Sequence, residues 1–288
     1  MTAATYAFAQ LIRVLPRTKI TRAVGKLVDM RLPRPVARAA VAAYARAYRV
    51  DLDEAEPLDG GAPGVAYDTF DSFFTRRLRP GARQITAPAG TLVSPSDGRL
   101  DAVGDVERDG IIHVKRRPYH AADLLGGDAH AEKYLGGQFG VIYLAPRDYH
   151  RVHAPVDSTV VEVRSYPGEL FPVNGVSERH IPGFLARNRR VAIVLRTPSY
   201  GDITVVMVAA MIVGRISVSG IDARDVPFGT HAGLDYPVAR GDEIGIFHLG
   251  STAVIFCEPK RCPRIDRGLG TVRLGDALHA PEGAVRHV

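Results

Sequence analysis

Beyond residue 64 the chain reads as a succession of short apolar, β-branched runs, each closed by a turn signal: TLVSPSDGRL, GIIHVK, FGVIYLAP, STVVEVRSY, RRVAIVLRT, ITVVMVAAMIVGRISV, DEIGIFHLG, TAVIFCE and GTVRLGD. Runs of this length, without regular alternation with long helical patterns, predict a β-rich core. The first fifty residues follow a different period. Phe8, Leu11, Ile12 and Leu15 fall at helical spacing, Pro16 interrupts, and Ile20, Val24, Leu27 and Val28 resume it. That pattern predicts two short amphipathic helices with Arg and Lys between the apolar positions. A third, PVARAAVAAYARAYRV, starts at Pro35 and runs through Val50. Such helices either cap the main domain or lie in a membrane interface, apolar stripe in lipid and cations at anionic headgroups, and the pattern alone leaves both readings open. The acidic, Gly/Pro-rich stretch DLDEAEPLDGGAPG (51 to 64) predicts a connecting loop. The expected class is therefore α+β: a predominantly antiparallel, barrel-sandwich-like core with an N-terminal amphipathic helical segment. Residues 1–64 form the helical region and linker, and 65–288 the β-rich domain.

Composition narrows the function. With 288 residues, 46% of them hydrophobic, the chain can bury a sizeable core. Its longest apolar run, ITVVMVAAMIVG, falls short of the roughly 20 residues needed to cross a bilayer and reads as a buried strand. The N-terminus has neither a basic flank before its apolar part nor a long hydrophobic region, so no secretory signal is expected and the protein should stay inside the cell. Cys257 and Cys262 form no C-x-x-C pair or metal frame and are expected to be unpaired thiols. A net charge of +6 draws the surface to something anionic. The absence of zinc-finger, RNP-like and basic-zipper patterns, with only 7% aromatic residues, speaks against nucleic acid.

Three segments place polar groups in apolar surroundings. Asp97 lies in LVSPSDGRL, where Asp-Gly by itself signals a turn. His150 and His153 lie in YLAPRDYHRVHAPVD, between Pro146 and Pro155. The prolines favour a turn there, which would let the two imidazoles converge on one pocket. An H-x-x-H metal site is disfavoured because no clear third ligand accompanies it. Ser251 lies in FHLGSTAVIFCE, outside any G-x-S-x-G elbow, and taken alone its Gly-Ser-Thr reads as a turn between strands.

Together these segments resemble the phosphatidylserine decarboxylase family, the pyruvoyl-dependent enzymes, most closely in the bacterial proenzyme form. The resemblance rests on FFTRRLRPGARQI (73 to 85), SPSDGRL (94 to 100), PRDYHRVHAP (146 to 155), GELFPVN (168 to 174), FLARNRRVAIVL (184 to 195), VAAMIVGRI (208 to 216) and GDEIGIFHLGSTAVIFCE (241 to 258), in order along most of the chain. It implies self-cleavage between Gly250 and Ser251, with Ser251 as nucleophile, His153 as its base and Asp97 as the partner orienting that base. It implies that Ser251 then becomes a pyruvoyl group, a covalent self-made cofactor needing no metal, which forms a Schiff base with the substrate amine. The reaction would convert phosphatidylserine to phosphatidylethanolamine and CO2. His150 is the implied proton donor, for which a pKa near neutral is suitable. Large and small chains of one precursor would remain associated, and a homodimer is compatible with this. The implied setting is peripheral, at an anionic membrane on the cytoplasmic face, with no nucleic-acid partner.

The chain departs from the family pattern in HVKRRPYHAADLLGG. Lys115, Tyr119 and the Leu-Leu-Gly are kept, whereas Arg and His replace the usual glycine and serine, which puts headgroup contacts in doubt. Whether Thr252 keeps the turn or also holds an oxyanion is left open. Two other classes compete. A β-rich carrier module would need a lysine in its turn, and the nearest downstream is Lys260; a conventional serine hydrolase would keep Ser251 internal.

Overall fold

Pro16 separates the first two helices, as the periodicity predicts: α1 spans Ala3–Val14 and α2 spans Arg17–Val28. The third, α3 (Arg34–Tyr48), carries its proline in the first turn and ends on Arg49 in the left-handed conformation. A short helix, α4 (Phe70–Phe74), is started by a capping box in which Thr69 and Ser72 exchange side-chain and backbone hydrogen bonds. The computed structural model describes residues 3–56, 67–212, 214–249 and 252–279. Much of the expected linker therefore lies outside the described residues. Its first part does not run free: Ala55 bridges to Leu78, and Glu54 pairs with Arg83.

The remaining elements follow in order: β1 (Gly98–Asp105), the hairpin β2 (Ile111–Val114) and β3 (Arg117–His120), α5 (Ala121–Leu125), α6 (Asp128–Ala131), β4 (Gln138–Tyr143), β5 (Arg151–His153), β6 (Ser158–Tyr166), α7 (Gly175–His180), α8 (Phe184–Arg187), β7 (Arg190–Thr197), β8 (Gly201–Val208), β9 (Arg215–Val218), β10 (Gly229–Val238), β11 (Glu243–His248), β12 (Thr252–Cys257) and β13 (Gly270–Val272). Eight strands form one antiparallel sheet in the order β10-β6-β7-β8-β12-β4-β1-β13, and β5-β11-β9 form a second. The α+β class and the antiparallel core stand as expected. Among the described residues the large sheet is open and does not close into a barrel.

Both faces of the large sheet are covered, which explains why its central strands read as continuous apolar runs. Ala253, Ile255, Ile142, Val205 and Met207 face the small sheet, meeting Val152, Ile216, Ile244 and Phe247. Val254, Phe256, Val141 and Val206 face the other way, against the β2–β3 hairpin, α5 and α8. Each such side chain contributes about 1.5–3 kcal/mol by leaving water. Cys257 and Cys262 are unbridged thiols.

The N-terminal helices pack on this core along narrow stripes. Ile12 of α1, Thr21 and Val28 of α2 and Ala37 of α3 are buried, and Val41 and Ala45 of α3 meet Phe73 and Tyr67. Arg17 lies 4.1 Å over the Phe171 ring and pairs with Glu169. Other apolar residues of this region, Tyr6, Leu11, Val14, Leu27, Met30 and Val36, remain exposed, whereas Val24 and Tyr44 are half-buried against the core. No helix among the described residues is long and apolar enough to cross a membrane.

Candidate active site

Gly250 and Ser251 lie outside the described residues, but the chain on either side of them is well defined. Before them, β11 belongs to the small sheet; after them, β12 takes the middle of the large one. The chain therefore changes sheets across this bond. Leu249 enters the turn in the left-handed region, at φ 78°, which costs a residue with a β-carbon about 1–2 kcal/mol.

The chain from the end of β4 through β5 meets the residues on both sides of this bond. Tyr143, the last residue of β4, pairs with Thr252 just after it. His150 accepts the Phe247 N–H through its carbonyl (3.0 Å), just before the turn, and Arg151 and Val152 pair with Ile246 and Gly245. The histidine segment is thus tied to the Gly250–Ser251 region by strand pairing. Residues 151–153 form a strand rather than the turn expected from the flanking prolines. The two imidazoles accordingly have separate surroundings instead of sharing one pocket, since positions three apart in extended chain point oppositely.

His153 is buried. Its Nδ1 lies 2.8 Å from the Gly241 carbonyl, and because a carbonyl can only accept, Nδ1 carries the proton. Nε2 is left with a lone pair, met by the Tyr149 hydroxyl at 3.1 Å. Burial raises the Tyr149 phenol well above its ordinary value, so this hydroxyl remains a donor. Burial also lowers the His153 pKa, opposed by the Gly241 hydrogen bond and by the negative charges of Glu243 and Asp97. The Gly241 carbonyl thus fixes the tautomer that leaves a lone pair on Nε2, the form a base requires, and that lone pair is held by the Tyr149 hydroxyl.

Asp97 does not contact His153. Arg83 forks onto its carboxylate, Nε at 3.0 Å and a terminal nitrogen at 2.5 Å, and the Leu274 N–H adds a third bond at 2.8 Å. The group that orients His153 is the Gly241 carbonyl, and Asp97 acts on it only through its charge. Gly98 explains the placement of Asp97: at φ 150° it lets β1 approach β4 so closely that a β-carbon would lie 2.5 Å from the Tyr143 carbonyl oxygen.

His150 is fully buried, with its ring 4.0 Å from that of Phe74 and its Nδ1 2.8 Å from the Asp148 carbonyl. Burial, aided by the Arg76 charge, pushes its pKa down to about 3, far from the near-neutral value expected of a proton donor. Its Nε2 has no hydrogen-bond partner among the described residues, and neither has the Thr252 hydroxyl. Two orphaned buried polar atoms therefore belong to residues paired on either side of residues 250–251.

These buried imidazoles make stability sensitive to acid. The unfolded His150 titrates near 6.5 and the folded one near 3, so between those values the unfolded state holds more protons and stability falls as pH falls. The slope from His150 alone approaches about 1.4 kcal/mol per pH unit. Denaturant melts from pH 6.5 to 4.5 should show this, and His150→Gln should flatten it; an equally steep curve in that variant would contradict the assignment.

Several residues of the site carried no sequence signal of their own contacts. Arg83 lies in the matched stretch 73–85, yet nothing there indicates that it holds Asp97. His248, two residues before Gly250, donates from Nδ1 to both oxygens of Asp71 (3.0 and 3.1 Å), and its Nε2 lies 3.1 Å from the Ser217 hydroxyl. Burial alone would raise Asp71, but hydrogen bonds and charge from His248, Arg224 and Arg215 hold it below the usual carboxylate range. Arg215 and Arg224 also pair with Asp29 at the end of α2, which links that helix to the strand entering the turn. No group of three or more His, Cys, Asp or Glu side chains among the described residues could hold a metal ion.

The family model described as phosphatidylserine decarboxylase matches residues 70–280. The phosphatidylserine decarboxylase proenzyme of Anaeromyxobacter sp. (strain K) is 40% identical over 281 residues, covering 94% of this chain and 97% of the relative. Proteins of the same name from Myxococcus xanthus and Bordetella pertussis are 38% and 37% identical over 277 residues each, covering 94% and 92% of this chain and 97% and 91% of theirs. On these grounds the chain belongs to the phosphatidylserine decarboxylase family.

Proposed function

We propose that this chain is a self-processing decarboxylase that converts phosphatidylserine to phosphatidylethanolamine and CO2. The observation that carries the proposal is that one segment meets the chain on both sides of the Gly250–Ser251 bond: Tyr143 pairs with Thr252 after it, and the His150 carbonyl accepts the Phe247 N–H before it. His153 lies further back along β11, opposite Glu243, and its role as base rests on the family resemblance.

Maturation follows from the chain's own groups. The Ser251 hydroxyl attacks the Gly250 carbonyl while His153 takes its proton at Nε2, and the peptide bond becomes an ester. Elimination across Cα–Cβ of residue 251 breaks the ester, leaving Gly250 with a carboxylate and residue 251 as dehydroalanine. Addition of water and loss of ammonia convert residue 251 to a pyruvoyl group at the start of the small chain. Leu249's strained backbone adjoins this bond, so cutting the turn allows that strain to relax.

The pyruvoyl group, once formed, supplies an electron sink for loss of CO2 from an amino acid. The protein's part is to bind, orient and move protons. His150 Nε2 is a buried lone pair without a partner, and a substrate carboxylate brought beside it would raise its pKa from the low resting value. It thereby gains a proton when the substrate is bound and can give it up at the substrate Cα as CO2 leaves. His150→Ala should still be cut into residues 1–250 and 251–288, yet turn over about 10²–10⁴-fold more slowly. Normal turnover in the cut variant would remove His150 from the mechanism.

The same reading puts the protein at a membrane surface, peripherally and on the cytoplasmic face. Exposed Leu11, Val14 and Leu27, on helices that also carry Arg and Lys, and Met30 just after α2 suit an interfacial position. Leu11→Ser/Val14→Ser/Leu27→Ser, all exposed, should reduce vesicle co-sedimentation by about tenfold or more without lowering the melting temperature. Undiminished binding would assign these residues to the cap alone. The experiment that tests the function itself is the intact mass of the active protein, together with release of CO2 from phosphatidylserine vesicles. A single uncut chain that remains active would overturn it.

A further inference from the structure

A cavity of about 400 Å³ lies between α2 and the core, and its lining reaches the turn: His248 and Leu249 form part of its wall. The wall on the α2 side consists of residues one helical turn apart, among them Arg22, Gly25, Lys26 and Asp29. Its charges are unequally matched. Arg189 is paired with Asp225, and Arg215 with Asp29 and Asp71. Arg22 and Lys26 have no acidic partner among the described residues. Exposed Phe228 and Ile212 also line the cavity, exposed Leu27 follows on α2, and exposed Met30 lies just beyond the end of that helix. The space thus joins two unneutralised cations, an apolar rim and the residue preceding Gly250.

Resting on the function proposed above, we infer that this cavity receives the phosphodiester of the lipid headgroup, with Arg22 and Lys26 as its phosphate-binding pair. In the substrate only the serine Cα and Cβ and one ester oxygen separate the amine from the phosphorus. A headgroup whose amine reaches residue 251 must therefore place its phosphate close to the turn. The cavity beside Leu249 is such a place, and its apolar rim receives the glycerol and the first acyl carbons. A guanidinium and an ammonium four residues apart on one helix face give the phosphate charge-assisted hydrogen bonds from one side, which favours this anion over a neutral headgroup.

The test uses the processed enzyme and dihexanoyl phosphatidylserine below its micellar concentration, so that no lipid surface is present. Arg22→Gln/Lys26→Gln should be cut as the unsubstituted chain is, and should raise KM for the monomeric lipid about ten- to hundredfold while leaving kcat within about threefold. The charge-preserving exchange Arg22→Lys/Lys26→Arg should recover most of the affinity. An unchanged KM for monomers would overturn the inference. A defect seen only on anionic vesicles would also overturn it, assigning the pair to attraction by the surface. A wild-type chain that is never cut would instead overturn the proposed function, and this inference with it.

Discussion

Replacing Ser251 with alanine should leave the chain whole and inactive. Its mass should be that of the 288-residue precursor, and decarboxylation should fall to the level of buffer. Two losses coincide in one atom. Without the hydroxyl no nucleophile exists to attack Gly250, and without cleavage residue 251 never acquires a carbonyl able to take up the electrons left by CO2. The fold should survive, because the strands on both sides of the turn are held by pairings that do not involve this side chain: β11 with β5 and β9, β12 with β4 and β8. A melting temperature close to that of wild type, together with a single chain on denaturing mass spectrometry, is the expected pair of results. Appearance of the two fragments in this variant would mean that another residue cuts the chain.

His153→Ala carries the second largest effect. Cleavage should slow by about 10²–10⁴-fold, since the serine loses the group that takes its proton. The expected readout is accumulation of precursor over hours in a sample whose wild-type counterpart is already cut. Asp97→Asn should behave differently in kind. The Gly241 carbonyl still holds the imidazole, so cleavage slows by a smaller factor, through loss of a negative charge that supports proton uptake. Stability suffers more, because Arg83 loses one of its two carboxylates in a largely buried setting, where breaking a pair costs roughly 3–5 kcal/mol. Equal slowing in both variants, without loss of stability in Asp97→Asn, would restore direct orientation of His153 by Asp97.

The contrast between these residues shows what the sequence carried and what it did not. The helix break at Pro16, the start of α3 at its proline and the run from Ile203 were all legible, because each depends on local chemistry or on burial along one segment. The order of strands was not. The run TAVIFCE reveals a strand buried on both faces, but nothing in it names β8 and β4 as its neighbours. The resemblance supplied the candidate residues, and the Phe247–His150 backbone hydrogen bond brings His150 to the end of β11, whereas His153 pairs at its start, opposite Glu243. Contacts chosen in three dimensions escaped it. Arg83 captures Asp97 because a guanidinium fork outcompetes an imidazole for a carboxylate, and Gly241 meets His153 because β5 and β11 pair in that register. The low pKa of His150 was hidden for the same reason, since burial under Phe74 is a property of packing and not of PRDYHRVH.

The central place of β12 bears on how the enzyme can be remade after it is lost. In the precursor this strand is tethered to the rest of the chain, and its insertion between β8 and β4 is intramolecular. After the proposed cut it would begin a separate polypeptide, still locked in by hydrogen bonds on both sides. Once that assembly is melted, the missing strand must be captured from solution, so refolding becomes second order and slows on dilution. The uncut Ser251→Ala chain should refold at a rate independent of concentration. On the proposed function a two-chain form would be assembled once, and heat or denaturant should erase its activity in a way that cooling a dilute sample does not reverse.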